Sequence, residues 1–194
     1  HHTAIIALAS KNPQEKIDDL ITTDEDGSRI LGAVDIYGLM FHGPRFQPLK
    51  GVVATIETTS GTGIEARVNS IQDLPNPRLF NIRGKAIIPD LTSYPMLIES
   101  CFQAAGLTSM DLDSAESLPV GAKRILIAGE IPEGSLTVTS VRKGSETNGT
   151  FVHESVIRLD GSPIMRIDGL KMRKLRDLND DQRPGLAEYS GELA

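Results

Sequence analysis

The chain alternates between short runs with a two-residue apolar period and one long run with a helical period. Leu97, Ile98, Cys101, Phe102 and Ala105 recur at helical spacing within Tyr94–Leu107, so this stretch predicts one helix with a broad apolar stripe. Thr92 and Ser93 are placed to accept from first-turn amides, Pro95 suits a helix start, and Gly106 supplies a stop near the other end. Glu99 and Gln103 are four apart and share the face opposite the stripe, and they are the only strongly polar side chains from Tyr94 to Leu107. With small Ser100 and Gly106 beside them, the helix is expected to be buried nearly all round. A carboxylic acid in such a place must be paired, protonated or functional.

Strand patterns surround this helix. Gly51–Thr59 and Ile64–Asn69 flank a turn at Ser60-Gly-Thr-Gly63, and Leu79–Ile88 leads into the helix. After an acidic connector at Met110–Glu116 come Lys123–Ile131, Leu136–Lys143, Thr150–Leu159 and Ile164–Leu175. Asp160-Gly161 is a strong hairpin signal, and Asn148-Gly149 marks a further turn. Tyr37–Leu49 reads as a loop in which three aromatics crowd a Gly-Pro turn, and they stand out because aromatics make up only 4% of the chain. One antiparallel sheet curled around one apolar helix fits this α+β pattern. That is the hot-dog arrangement, with a cystatin-like sheet as the other way to combine one helix with many strands. The expected organisation is residues 1–29 as a strand (Thr3–Ala9) and linker from an upstream domain, 30–176 as the hot-dog domain, and 177–194 as an exposed exit linker.

Composition narrows the function. One cysteine excludes an intrachain disulfide and a cysteine-based zinc cluster, and favours a reducing, cytoplasmic setting. Cys101 falls on the apolar stripe and reads as packing. A net charge of −6 argues against general nucleic-acid binding, and no apolar run reaches the length of a membrane span. Gly-rich phosphate loops, HExxH and EF-hand loops are missing, so no metal or cofactor is expected. Lys171, Arg173, Lys174 and Arg176 form the one concentrated basic run, read either as a solvated strand or as a docking surface for an acidic partner.

Four stretches in order, spanning Ile30–Leu175, resemble the dehydratase domain of modular polyketide and related fatty-acid synthases. Phe41-His-Gly-Pro-Arg-Phe-Gln47 is similar to that family's Phe-His-Gly-Pro-x-Phe-Gln signature, and Pro95-Met-Leu-Ile-Glu-Ser-Cys-Phe-Gln103 to its Pro-x-Leu-Leu-Asp-x-x-x-Gln helix. Leu118-Pro-Val-Gly-Ala-Lys-Arg124 and Leu159–Arg173 resemble its later strands. The resemblance implies a double hot dog, with a catalytic histidine from a His-x-x-x-Gly-x-x-x-x-Pro motif in the N-terminal half and an aspartate on the C-terminal helix. This sequence resembles the second half: that histidine motif is missing, and Glu99 stands where the aspartate is expected.

By resemblance, Glu99 is the general acid for dehydration of a β-hydroxyacyl thioester on an acyl carrier protein, with its pKa raised by an apolar tunnel. Gln103 would orient it or hold the substrate hydroxyl, and Tyr37, Phe41, His42, Gly43, Pro44 and Phe46 would contact the acyl chain. As plain chemistry, His42 beside Gly-Pro reads first as a packing or hydrogen-bonding residue. The base would come from the upstream half, so the chain alone is expected to be inactive; its partner is that half or a second copy. Two other functions fit the residues. One is a non-catalytic pseudo-dehydratase that shapes or dimerises a megasynthase. The other is a hot-dog thioesterase using Glu99 as nucleophile or base.

Overall fold

The computed structural model describes residues 31–58, 61–70, 90–127 and 133–186. The expected strands at Thr3–Ala9 and Leu79–Ile88, the linker at 10–29 and the final residues 187–194 lie outside them. Among the described residues, eight strands form one antiparallel sheet: β1 (Leu31–Gly32), β2 (Leu49–Thr58), β3 (Gly61–Val68), β4 (Ala115–Gly121), β5 (Arg124–Ile127), β6 (Leu136–Glu146), β7 (Thr150–Leu159) and β8 (Ser162–Asp177). Their spatial order is β1-β2-β3-β6-β7-β8-β4, with β5 pairing the same edge of β8 just beyond β4. Helix α1 (Ala33–Leu39) follows β1, and the long helix α2 (Asp90–Asp113) joins β3 to β4.

The sheet curls around α2, as expected of a hot dog. Leu97, Cys101, Ala104, Ala105, Leu107 and Met110 are buried in one cluster with Ala66 and Val68 of β3, Val138 of β6, Ile157 of β7 and Ile167, Leu170 and Met172 of β8. Ser100, Thr108 and Ser109 are fully buried too, because each hydroxyl donates to the carbonyl four residues back: Met96, Ala104 and Ala105 respectively. That local closure lets a polar side chain enter the core without an unmet donor. Burial pushes the Cys101 thiol up, consistent with a packing role.

Turn chemistry fixes the later strands. Asp160 (φ 48°) and Gly161 (φ 81°) both sit at positive φ between Leu159 and Ser162, the two-residue connection whose twist suits a hairpin. The Asn148-Gly149 turn forms as well, with Gly149 at φ 71°. The β2–β3 hairpin is present, but Gly61 and Gly63 belong to β3 rather than to the turn. Gly63 is glycine for proximity: an added Cβ would stand 1.9 Å from the Ser140 carbonyl oxygen of β6.

Four expectations change. The helix runs from Asp90 to Asp113 rather than 94–107, so Pro95 lies inside it, past the first turn, where it removes one helical hydrogen bond. Gly106 does not stop it: the residue lies close to Met40 and Met172, and the buried residues beyond it outweigh the modest cost of a helical glycine. Met110–Glu116 is the last helical turn, a reversal at Ser114 (φ 46°) and the start of β4. Tyr37 sits in α1 rather than in a loop, with Asp35 accepting from the Gly32 amide at its start.

Finally, the chain does not leave the fold at Arg176. The Leu178 amide donates to the Ser114 carbonyl (2.7 Å) and the Leu186 amide to the buried Asp111 carboxylate (2.9 Å). Arg183 donates to the Asp111 carbonyl, and the Leu186 side chain is wholly buried. Apolar anchors and satisfied amides thus tie a polar-looking segment to the end of α2.

Leu186→Ala is therefore expected to cost about 2–5 kcal/mol by denaturant unfolding; a change near zero would mean that the segment is a loose exit after all. A second expectation concerns His153, which is fully buried with Nε2 3.2 Å from Ser109 Oγ. Burial, helped by the nearby Arg142 charge, pushes its pKa down to about 3. Below the ordinary histidine value of about 6.5 the unfolded chain binds a proton that the fold refuses, so stability falls as pH drops through that window. The folding constant is expected to lose about tenfold per pH unit from about pH 6 to about pH 5, above the carboxylate range, and His153→Gln to flatten that slope.

Candidate active site

Helix α2 brings Glu99 and Gln103 one turn apart on a single face, and the segment from α1 to β2 lies across it. Local hydrogen bonds shape that segment. Helix α1 closes with the Met40 amide on the Ile36 carbonyl (3.0 Å), and Pro44 opens a single 3-10 turn over Pro44–Phe46. The Gln47 side-chain amide donates to the His42 carbonyl and Asn69 donates to the Gln47 carbonyl, both at 2.9 Å. Gln47 is thus the strut that carries the His42 backbone on the end of β3.

The polar groups form one chain with a fixed direction. The Tyr37 hydroxyl accepts from the Leu49 amide (2.8 Å) and donates to Gln103 Oε1 (3.0 Å). Burial raises the Tyr37 pKa, more than the Leu49 amide lowers it and with the Glu99 charge adding to the rise, so the phenol keeps its proton. Because Gln103 must present its oxygen to Tyr37, its Nε2 faces the other way, donating to the Phe46 carbonyl (2.8 Å) and to Glu99 Oε1 (2.9 Å). His42 Nε2 stands 2.9 Å from the same Glu99 oxygen.

Glu99 is therefore surrounded by donors. Burial alone would raise its pKa; the hydrogen bonds from His42 and Gln103 reverse the sign and hold the carboxyl below the ordinary glutamate value. This corrects the expectation of a carboxyl kept protonated by an apolar tunnel. A mainly apolar cavity is present, but so is the paired histidine.

Glu99, Gln103, Phe41, His42, Gly43 and Phe46 all line one cavity of about 440 Å³. Its other walls are mainly apolar: Leu39, Met40, Phe102, Met110, Leu118 and Met172. Phe41 and Phe46 are 71% and 52% exposed, so they lie at its rim instead of anchoring the segment in the core. Two expected contacts are not among the lining residues. Tyr37 sits behind Gln103 with its hydroxyl already committed, and Pro44 is exposed as the first residue of the 3-10 turn. Among the described residues no cluster of three or more metal-ligating side chains occurs, and no helix is long and apolar enough to cross a membrane.

The basic run of β8 is engaged within the sheet. Lys171 pairs with Glu146, Arg176 with Glu116 and Lys174 with Asp177, while Arg173 donates to Thr150. Sequence reasoning missed the His42–Glu99 contact and the methionines of the cavity. The contact joins residues far apart in the chain, and the methionines have the spacing of ordinary core.

No curated protein gives a significant sequence match. Among solved structures, the chain is similar to a dehydratase from work on substrate modification by dehydratases of type I polyketide synthases, at 23% identity and a TM-score of 0.53, covering 79% of this chain and 53% of that one. It is also similar to the dehydratase domain of a mycocerosic acid synthase-like polyketide synthase (18% identity, TM-score 0.52, 74% and 48% covered). A third likeness is to the dehydratase domain from the CurJ module of the curacin polyketide synthase (14%, 0.51, 75% and 48%). At these identities the likeness shows the fold, and the chain spans about half the length of the structures it matches. The family model described as polyketide synthase dehydratase N-terminal domain matches residues 35–182. With its curled sheet, its central helix and that match over most of its length, the chain belongs to the polyketide synthase dehydratase family.

Proposed function

We propose that the chain is the C-terminal hot dog of a synthase dehydratase domain, converting β-hydroxyacyl thioesters on an acyl carrier protein to enoyl thioesters. The observation that carries this reading is the Glu99 carboxyl, set by Gln103 and His42 on the wall of a mainly apolar cavity of about 440 Å³. In the reaction a base takes the α-proton, the β C–O bond breaks with its electron pair on oxygen, and an acid protonates that oxygen so that water departs. Glu99 occupies the acid position, and the base histidine comes from the N-terminal hot dog.

The assignment to the C-terminal half, against the wording of the matched family model, rests on the helix-borne Glu99–Gln103 pair and on the lack of a His-x-x-x-Gly-x-x-x-x-Pro motif in the sequence. The half-length cover of solved relatives supports one half of a pair. The partner is the upstream half or a second copy, and the chain alone lacks the base.

Glu99 must gain a proton before it can donate one. An acyl chain that fills the cavity removes water from around the carboxyl and strengthens desolvation, the influence that raises its pKa, so loading of the acid is coupled to substrate binding. The ionised resting state favours one second reading: a hot-dog thioesterase in which the Glu99 carboxylate attacks the thioester or activates water.

Incubating the chain, joined to its native upstream sequence, with a β-hydroxyacyl carrier protein and following mass separates these readings. Loss of water is expected, reduced about 100-fold or more by Glu99→Gln. Release of free acid would move the assignment to a thioesterase. No change over a panel of acyl lengths would overturn both and leave a non-catalytic structural half.

A further inference from the structure

We propose that His42 is the positioning residue that selects which oxygen of Glu99 does the chemistry. The inference rests on reading Glu99 as the reacting carboxyl, and it accounts for a glutamate where the resemblance leads one to expect an aspartate. The longer arm brings Oε1 to 2.9 Å from both His42 Nε2 and Gln103 Nε2. Two donors on one oxygen occupy its favourable acceptor directions, while Oε2 has no hydrogen-bond partner among the described residues. Oε2 is thus the atom left for proton transfer.

Gln103 alone does not fix this choice, because the terminal torsion of a glutamate is broad and roughly two-fold. The imidazole approaches from a different element, the α1–β2 segment, and adds a second line of restraint. Its own orientation is set by two contacts. The Phe41 ring stacks on it at 4.5 Å between centroids and 19° between planes, and Gln47 holds its backbone carbonyl. On its far side Nδ1 is buried with no hydrogen-bond partner among the described residues. An unpaired buried N–H is rarer than an unpaired acceptor, so the proton belongs on Nε2, pointing at Glu99.

The two-half protein supplies one test. His42→Phe is expected to lower kcat about 100-fold with KM for the carrier-bound substrate within about twofold, as for a donor aimed at the reacting group. His42→Gln, whose amide keeps a donor at similar reach, recovers most of that loss, and His42→Phe adds nothing on a Glu99→Gln background. An unchanged kcat, a change in KM alone, no recovery in His42→Gln, or additive losses would each overturn the proposal.

Ring ¹⁵N spectra of the same protein supply the other test, independent of turnover. The Nε2–H tautomer is expected in the wild type, with its resonances moved by Glu99→Gln. Spectra identical in the two proteins, or the Nδ1–H tautomer in the wild type, would overturn the role of His42. If the wild type shows no dehydration at all, the proposed function fails while the spectra still decide the contact.

Discussion

The Tyr37 hydroxyl has a single proton, and the Leu49 amide leaves it one direction in which to give it. By accepting from Leu49 the phenol is turned to donate to Gln103 Oε1, and the amide is thereby fixed with its nitrogen toward Glu99. Gln103, and through it one restraint on Glu99, inherits its orientation from that bond. A flipped Gln103 would leave two oxygens facing one another at Glu99 and a nitrogen facing a phenol that cannot ionise in its buried setting. The site is preorganised because it has one way to satisfy its donors.

That order depends on the packing beneath it. Helix α2 presents Glu99 and Gln103 reproducibly because its other faces are locked into the curled sheet, with hydroxyls closed on their own helix and small residues where strands approach. The segment at 178–186 and the Asp111 carboxylate fasten its far end, and β4 is drawn to β8 directly after the reversal at Ser114. The cavity lies between α2, the α1–β2 segment and strands β4 and β8, bordered by Met40, Gly106, Met110, Leu118 and Met172.

Much of this was legible in the residues. The helical stripe named Leu97, Cys101 and Ala105, the Asp160-Gly161 dipeptide named the β7–β8 hairpin, and the four-residue spacing paired Glu99 with Gln103. Each is a local signal, read within a few residues. What sequence did not show depends on contacts made elsewhere. Helix α1 is seven residues long with a glycine inside it, too short for a period to emerge. The helix end passes Gly106 because tertiary burial overrides a weak propensity. Leu178 and Leu186 are hidden among charges until their amides find Ser114 and Asp111. The resemblance drew attention to both Phe41–Gln47 and the α2 motif, yet no spacing rule places His42 on Glu99. The consequence was chemical: a lone carboxyl in an apolar site calls for a raised pKa, and the paired one has the opposite shift.

Chemistry at this site therefore turns on the charge of one side chain. Glu99 stands in a setting whose burial favours the acid and whose donors favour the base, and the donors prevail. On the proposed function, a bound acyl chain would add to the first influence, so that one carboxyl would rest ionised and react protonated. The most direct measurement is a pH titration of the ¹³C resonance of the Glu99 carboxyl in the ligand-free protein. A midpoint below the ordinary glutamate value is predicted. A midpoint at or above it would show a carboxyl governed by the apolar cavity alone, and would contradict the roles assigned to His42 and Gln103.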